Sequence, residues 1–178
     1  MSSLFVYHQS SPEQPYKVLT HLEDIVSTLA EQGVGFERLQ ATTPVSPDAT
    51  SQDVLSSYQV AVDAVMTERG YASVDVIHAS TADPQLRASA LDEHHYGQDE
   101  VRFFVAGRGL FTLHIGEHVY AVLCEKNDLI CVPAGTRRWF DIGENPRLTA
   151  IRFFRQQAAN AIFTGDSIAA DCVALDDV

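Results

Sequence analysis

Cysteine is scarce in this chain, and what there is cannot pair off. Cys124, Cys131 and Cys172 are an odd number with no CxxC spacing. A disulfide framework or a zinc ribbon is therefore excluded as an organising principle, and a reducing, cytoplasmic setting is expected. Basic residues are also few: 12 Lys and Arg stand against 24 Asp and Glu, a formal charge of −12. Such a chain repels phosphate backbones and anionic lipid surfaces, so neither nucleic acid nor membrane is expected as a partner. Long apolar runs are missing. Stretches such as Leu129–Val132 are strand-sized, against the roughly 20 residues of a spanning helix. The opening Met1-Ser2-Ser3-Leu4 has no basic n-region and no apolar h-region, so no secretory signal is expected.

What is present suits one folded domain over residues 1–178. At 46% hydrophobic and 20% charged residues, the chain can bury a full core, which excludes disorder and low-complexity scaffolds. Residues 1–90 read as a mixed flanking segment. Leu4–His8 and Phe36–Ala41 are strand-like, Thr42–Asp48 is a two-proline loop, and Val74–His78 is another strand. Leu22, Ile25, Val26 and Leu29 recur at helical spacing before Gly33. Leu55, Tyr58, Val62, Val65 and Met66 put one apolar face on a helix over Asp53–Arg69, which Gly70 ends. Pro84 opens a short helix to Ala90.

Residues 94–154 change character. Val101–Val105, Phe111–Ile115, Val119–Leu123, Leu129–Val132, Trp139–Ile142 and Leu148–Phe154 are short apolar runs. Gly, Asn-Asp and Pro separate them, the pattern of an all-β barrel or sandwich. Gly107-Arg108-Gly109 and Gly116-Glu117 are expected as hairpin turns. The tail, residues 158–178, is expected to be helical through Ala170. The fold class is mainly β, with helices from the front half and the tail packed on the outside of the 94–154 core.

Two motifs in the β half resemble those of cupins, small jelly-roll-like barrels (double-stranded β-helices) that hold a metal in their mouth. The first reads His94-His95-Tyr96-Gly97-Gln98-Asp99-Glu100 with Gly107 following, and the second reads Asn127, then Pro133-Ala134-Gly135-Thr136-Arg137-Arg138. Within cupins, the stretches Asp99–Phe104, Glu125–Ile130, Trp139-Phe140-Asp141 and Phe163–Asp166 resemble bacterial acireductone dioxygenases. So do Gly35–Arg38 and the helix before Gly70-Tyr71. That resemblance implies oxidation of an enediol with O2 at an iron or nickel ion held by three histidines and one glutamate. It also implies a small-molecule substrate, and it leaves the oligomeric state open.

Residue by residue, the resemblance puts His94 and Glu100 at two of the four metal-ligand positions. Tyr96 and Arg138 stand where the other two histidines would be. A guanidinium cannot ligate. At 4 Å, a unit charge facing another costs about 4 kcal/mol at an effective dielectric of ~20, and a divalent ion doubles that. The expectation is therefore no metal cofactor. If Fe or Ni binds at all, His94 and Glu100 are the ligands that remain. The expected chemistry is diverged: His94, Tyr96, Glu100 and Arg138 act as catalytic groups on a small anionic or enolisable substrate. Arg138 projects into the cavity beside Glu100 in a bidentate pair, while Arg102, Phe104, Phe140 and Arg152 bind the substrate. Isomerisation, elimination, cyclisation and C–C cleavage are the candidate reactions. A metal-dependent dioxygenase with a remodelled site and a non-catalytic binding barrel are the alternatives. In an extended segment His95 faces away from His94 and Tyr96. His114 and His118 read as an exposed pair beside the Gly116 turn, Trp139 as barrel packing, and Cys124 and Cys131 as buried apolar residues.

Overall fold

The computed structural model describes residues 1–40, 43–80, 84–157 and 160–178. Its architecture is organised by one long strand, β6 (Glu100–Ile115), which belongs to two sheets at once. The first half of β6 lies between β10 (Arg147–Phe154) and β8 (Asp128–Val132). Outside these run β4 (Ser73–Ser80) on β10 and β3 (Gly35–Arg38) on β8. The second half of β6 lies between β7 (His118–Glu125) and β9 (Arg137–Asp141). That sheet continues through β1 (Ser3–His8) to β2 (Lys17–Leu19) on one side, and through β5 (His94–His95) to β11 (Ile162–Phe163) on the other. All pairings are antiparallel.

Gly107 to Gly109 therefore do not close a hairpin, as their spacing suggested. They bend one continuous strand from sheet to sheet. Before the bend, Phe104 faces the inner core while Val101, Phe103 and Val105 face outward; after it, Phe111 and Leu113 are inside and Leu110 is outside. The interior positions thus change from even to odd numbers, which a regular period-2 strand cannot do. Gly107 supplies the irregularity at φ 76°, tight against the carbonyl of Arg147, and the β10 register shifts between Thr149 and Ala150.

Between the sheets lies the inner core, with Leu4, Val6, Phe111, Leu113, Val122, Ile130 and Val132. Helix α1 (Leu22–Ala30) closes one end of it with Ile25 and Leu29, both fully buried. Each such burial contributes roughly 1.5–3 kcal/mol. The front half does more than cover the barrel, since β1 to β4 are strands of its sheets. The expected single helix over Asp53–Arg69 is two, α2 (Ser51–Ser57) and α3 (Gln59–Arg69), broken at Tyr58. Tyr58 turns inward there to pack edge-on against Phe103, and its hydroxyl donates to the Thr43 carbonyl at 2.6 Å. Both helices cover the outer face of the first sheet with Val54, Val62 and Val65. Helix α4 (Pro84–Leu91) follows Pro84 as expected.

The tail differs from its helical expectation. Its first residues, Ala158 and Ala159, lie outside the described residues, as do Ala41 and Thr42 of the expected strand and loop around them. After β11 the tail makes only two 3-10 turns, Ile168–Asp171 and Leu175–Asp177. Leu175 docks on the outer face of the second sheet beside Leu110, Val119 and Trp139, so Trp139 is barrel packing. Among the described residues, no helix is long and apolar enough to cross a membrane.

Candidate active site

Strands β5, β6 and β9 bring four of the singled-out side chains together. His94 is paired in register with Arg138, and the Arg138 guanidinium lies over the Tyr96 ring at 5.2 Å. Glu100 is fully buried at the centre. Its Oε1 accepts from Arg138 Nη1 at 2.9 Å, and its Oε2 accepts from Arg102 Nη2 at 2.9 Å. The expected bidentate Arg138–Glu100 pair is thus replaced by a carboxylate shared between two guanidiniums. Arg138 spends its other donors on the carbonyls of Thr136 (3.1 Å) and Pro133 (3.4 Å), which the Pro133–Gly135 turn presents to it.

A cavity of about 190 Å³ opens beside this triad, walled by His94, Tyr96, Arg102, Phe140, Arg152 and Phe163 among others. Glu100, Arg138 and Phe104, expected to face it, lie behind that wall. Arg138 is only 1% exposed, drawn back by Glu100 and covered by Tyr96. Phe104 packs against Phe140 in the inner core. His95 does not line the cavity, in line with the period-2 reading of its segment. A larger depression of about 510 Å³, between Arg108, Lys126, Asn145 and Asp176, contains none of these groups.

Arg102 is the polar group best placed to meet a ligand. Its guanidinium lies against the rings of Phe140 (4.8 Å) and Phe111 (4.9 Å), which sit beside each other with centroids 5.6 Å apart, and its Nε is buried without a hydrogen-bond partner among the described residues. Two arginines and one carboxylate leave a net charge of +1 at the cavity wall. Arg152 adds none, because Asp75 holds it through Nε (3.0 Å) and Nη2 (2.7 Å). Burial alone would push the Glu100 carboxyl up, but Arg102, Arg138 and Arg152 outweigh it and hold it below the usual glutamate value. Burial lowers His94, and the charges of Arg138 and Arg102 lower it further, so its imidazole is neutral at physiological pH. The His94 Nδ1–H donates to the Asp92 carbonyl at 2.7 Å, which leaves Nε2 as the ring's free acceptor.

Metal-ligand chemistry separates two groups of residues. Both Glu100 oxygens are engaged by guanidiniums, and one of these stands at the Arg138 position, so the His94–Glu100 set does not fit a divalent cation. A second set lies on the other side of β5. Ligand atoms of Glu93, His114 and Asp166 all fall within 4.8 Å of one another. His114, expected to be exposed, is buried under the N-terminal segment and the chain after β11. The pairing with His118 does not form; His118 instead packs its ring against His8 and Tyr16. Hairpin position alone pointed to exposure. Only the long-range neighbours Gln9 and Thr164 decide otherwise. Nearby, burial and the charges of Asp171, Glu93 and Asp166 push the Cys172 thiol up to about 11.

An antiparallel barrel with a buried acid–base pocket at the His94/Glu100 motif and the Pro133–Arg138 turn defines a cupin. Comparison with known proteins narrows this. The family model for ARD/ARD' matches residues 4–161, and the chain belongs to that family, as one of its enzymes. It is 61% identical to an acireductone dioxygenase of Pseudomonas syringae pv. syringae (strain B728a), over 99% of this chain and all of that protein. An acireductone dioxygenase of Pseudomonas aeruginosa (strain UCBPP-PA14) is 57% identical over the same shares. Among solved structures, an acireductone dioxygenase from Bacillus anthracis with a cadmium ion in its active centre matches with a TM-score of 0.77 and 25% identity, covering 92% of this chain and 98% of that one. The expectation of no metal cofactor is overturned by that metal-bound relative together with the metal-capable Glu93–His114–Asp166 group.

Proposed function

We propose that this chain is an acireductone dioxygenase-type enzyme whose β-barrel cavity takes a small enediol or enolisable anion. The observation that carries the reading is the unpartnered Arg102 Nε on a wall of net positive charge. A buried donor without a partner costs about 1–3 kcal/mol, and a substrate oxygen recovers it.

Arg102 binds and orients the enediolate oxygen, with Phe111 and Phe140 fixing its guanidinium plane. Neutral His94 accepts a proton at Nε2, and the two nearby guanidiniums favour the enolate formed as that proton leaves. Arg138 is a positioning residue: it keeps Glu100 ionised, and Glu100 holds Arg102 in place. Phe140 and Phe163 give the cavity an apolar wall. Arg138, where the family resemblance implies a histidine, favours a second reading, proton-transfer chemistry such as isomerisation or elimination of the same class of substrate.

The test is consumption of a synthetic acireductone, followed by loss of its enediol absorbance, by metal-loaded protein in air and under argon. Loss in air alone supports the dioxygenase, and loss under argon supports the second reading. Either must disappear in a folded Arg102→Met variant. An enediol that is neither bound nor consumed overturns the proposal.

A further inference from the structure

Seven of the 12 lysines and arginines are ion-paired to a carboxylate. Among the described residues Lys17, Arg108, Lys126, Arg137 and Arg147 are not, and three of these, Arg108, Lys126 and Arg147, line the same depression of about 510 Å³. Acidic residues outnumber basic ones 24 to 12, so a cation on this surface ordinarily has a carboxylate to meet. The three come from separate connections: Arg108 from the bend of β6, Lys126 from the turn between β7 and β8, and Arg147 from the first position of β10. Backbone pairing holds them together, since Arg108 stands opposite Glu125 and Gly107 opposite Leu148, next to Arg147. Opposite charges directly across two strands ordinarily pair, yet Glu125 takes the Met1 ammonium at 2.6 Å instead. Asp176, the other carboxylate of the depression, accepts from the Glu144 amide at 2.8 Å. Neither neutralises the three cations.

We infer that this depression is a binding site for a phosphate monoester, separate from the cavity at His94 and Arg102. Arg108, Lys126 and Arg147 against Asp176, with Glu125 already balanced by Met1, leave a net charge of +2. A phosphate monoester at neutral pH carries about −1.5 to −2, which cancels it. Two guanidiniums offer forked donors and the Lys126 ammonium a point charge, a combination that suits phosphate oxygens. The Asn145 amide adds a neutral donor, and Ile142 and Leu175 supply an apolar part for the organic portion. The volume also lies within the roughly 300–1,000 Å³ of small-molecule sites. The overall charge of −12 does not oppose such binding. Screening over about 8 Å at physiological ionic strength silences distant acids and leaves the adjacent cations effective.

The depression is continuous with the cavity through shared structure. Ile142 lines both, and β6 carries Arg102 into one and Arg108 into the other. The site does not depend on the chemistry proposed for the cavity.

The test is isothermal titration of the full chain with phenyl phosphate, with succinate and inorganic phosphate as parallel titrants. We expect one phenyl phosphate bound per chain, more tightly than either parallel titrant. Lys126→Gln and Arg147→Gln should each weaken it about three- to fivefold. Asp176→Asn, which keeps an oxygen for the Glu144 amide, should tighten it by removing a like charge. Lys126, Arg147 and Asp176 are exposed, so these changes leave the fold intact. Lys17→Gln removes an exposed cation outside the depression and Arg102→Met one in the cavity, and neither should alter phenyl phosphate binding. No saturable binding overturns the inference. So does binding lost in Arg102→Met but kept in Arg147→Gln, or weakened as much by Lys17→Gln as by Lys126→Gln. Succinate or inorganic phosphate bound as tightly as the ester overturns the assignment to a phosphate monoester. None of these readouts depends on turnover, so they stand apart from the acireductone assay.

Discussion

Arg138 Nη1 donates to Glu100 Oε1 at 2.9 Å, with the two side chains 1% and 0% exposed. A cation here fills a position that the family resemblance reserves for a histidine, and Glu100 uses its remaining oxygen to hold Arg102.

Removing that cation leaves half of Glu100 unpaired in the interior. Arg138→Ala should destabilise the protein by about 3–5 kcal/mol, measured by urea unfolding at neutral pH. Arg138→Lys keeps the charge but loses the fork that also reaches the Thr136 and Pro133 carbonyls, so it should fall between the two. An unchanged unfolding midpoint in Arg138→Ala would remove the pair from any account of stability.

Acid should weaken the same cluster. The folded Glu100 carboxyl is held below the ordinary value of 4.5. Its contribution is therefore present above that value and is lost as pH falls through the lower, folded one. The stability gap between wild type and Glu100→Gln should shrink on acidification. A gap that is constant from neutral pH into acid would contradict the ionised assignment.

His94 should titrate below 6.5, because burial and the Arg138 and Arg102 charges all oppose the imidazolium. An NMR titration of its ring protons reads the midpoint directly. In Arg138→Gln one of the opposing charges is gone and the midpoint should rise. If it stays put, the guanidinium is not an electrostatic neighbour of the ring.

At the bend of β6, a Cβ on Gly107 would sit 1.6 Å from the Arg147 carbonyl oxygen, on a backbone at φ 76°. Gly107→Ala should cost at least about 1–3 kcal/mol by overpacking alone. Thermal melting measures it, with Gly97→Ala, which meets no atom within 4 Å, as the neutral comparison.

Much of the barrel was legible because its strands are short apolar runs bounded by turn residues, signals confined to a few neighbouring positions. Local patterns misled where a distant partner decided the outcome. The Gly107–Gly109 spacing matches a hairpin, yet pairing with β8 and β10 before it and with β7 and β9 after it keeps the strand continuous through the bend. Asp53–Arg69 has one helical period, yet Tyr58 breaks it to reach Phe103 and Thr43.

The amino-acid sequence by itself determined the β-rich class, the family resemblance, and the meeting of His94, Tyr96, Glu100 and Arg138. Motif spacing sets strand parity, and parity sets which side chains share a face. The division of Glu100 between two arginines, the withdrawal of Arg138 behind Tyr96, and the burial of His114 beside Glu93 were decided only in three dimensions. His114 and Glu93 are 21 residues apart, and Gln9 and Asp166 lie still further off along the chain. No local pattern encodes such contacts, because they form only when separate strands and the tail close over one another.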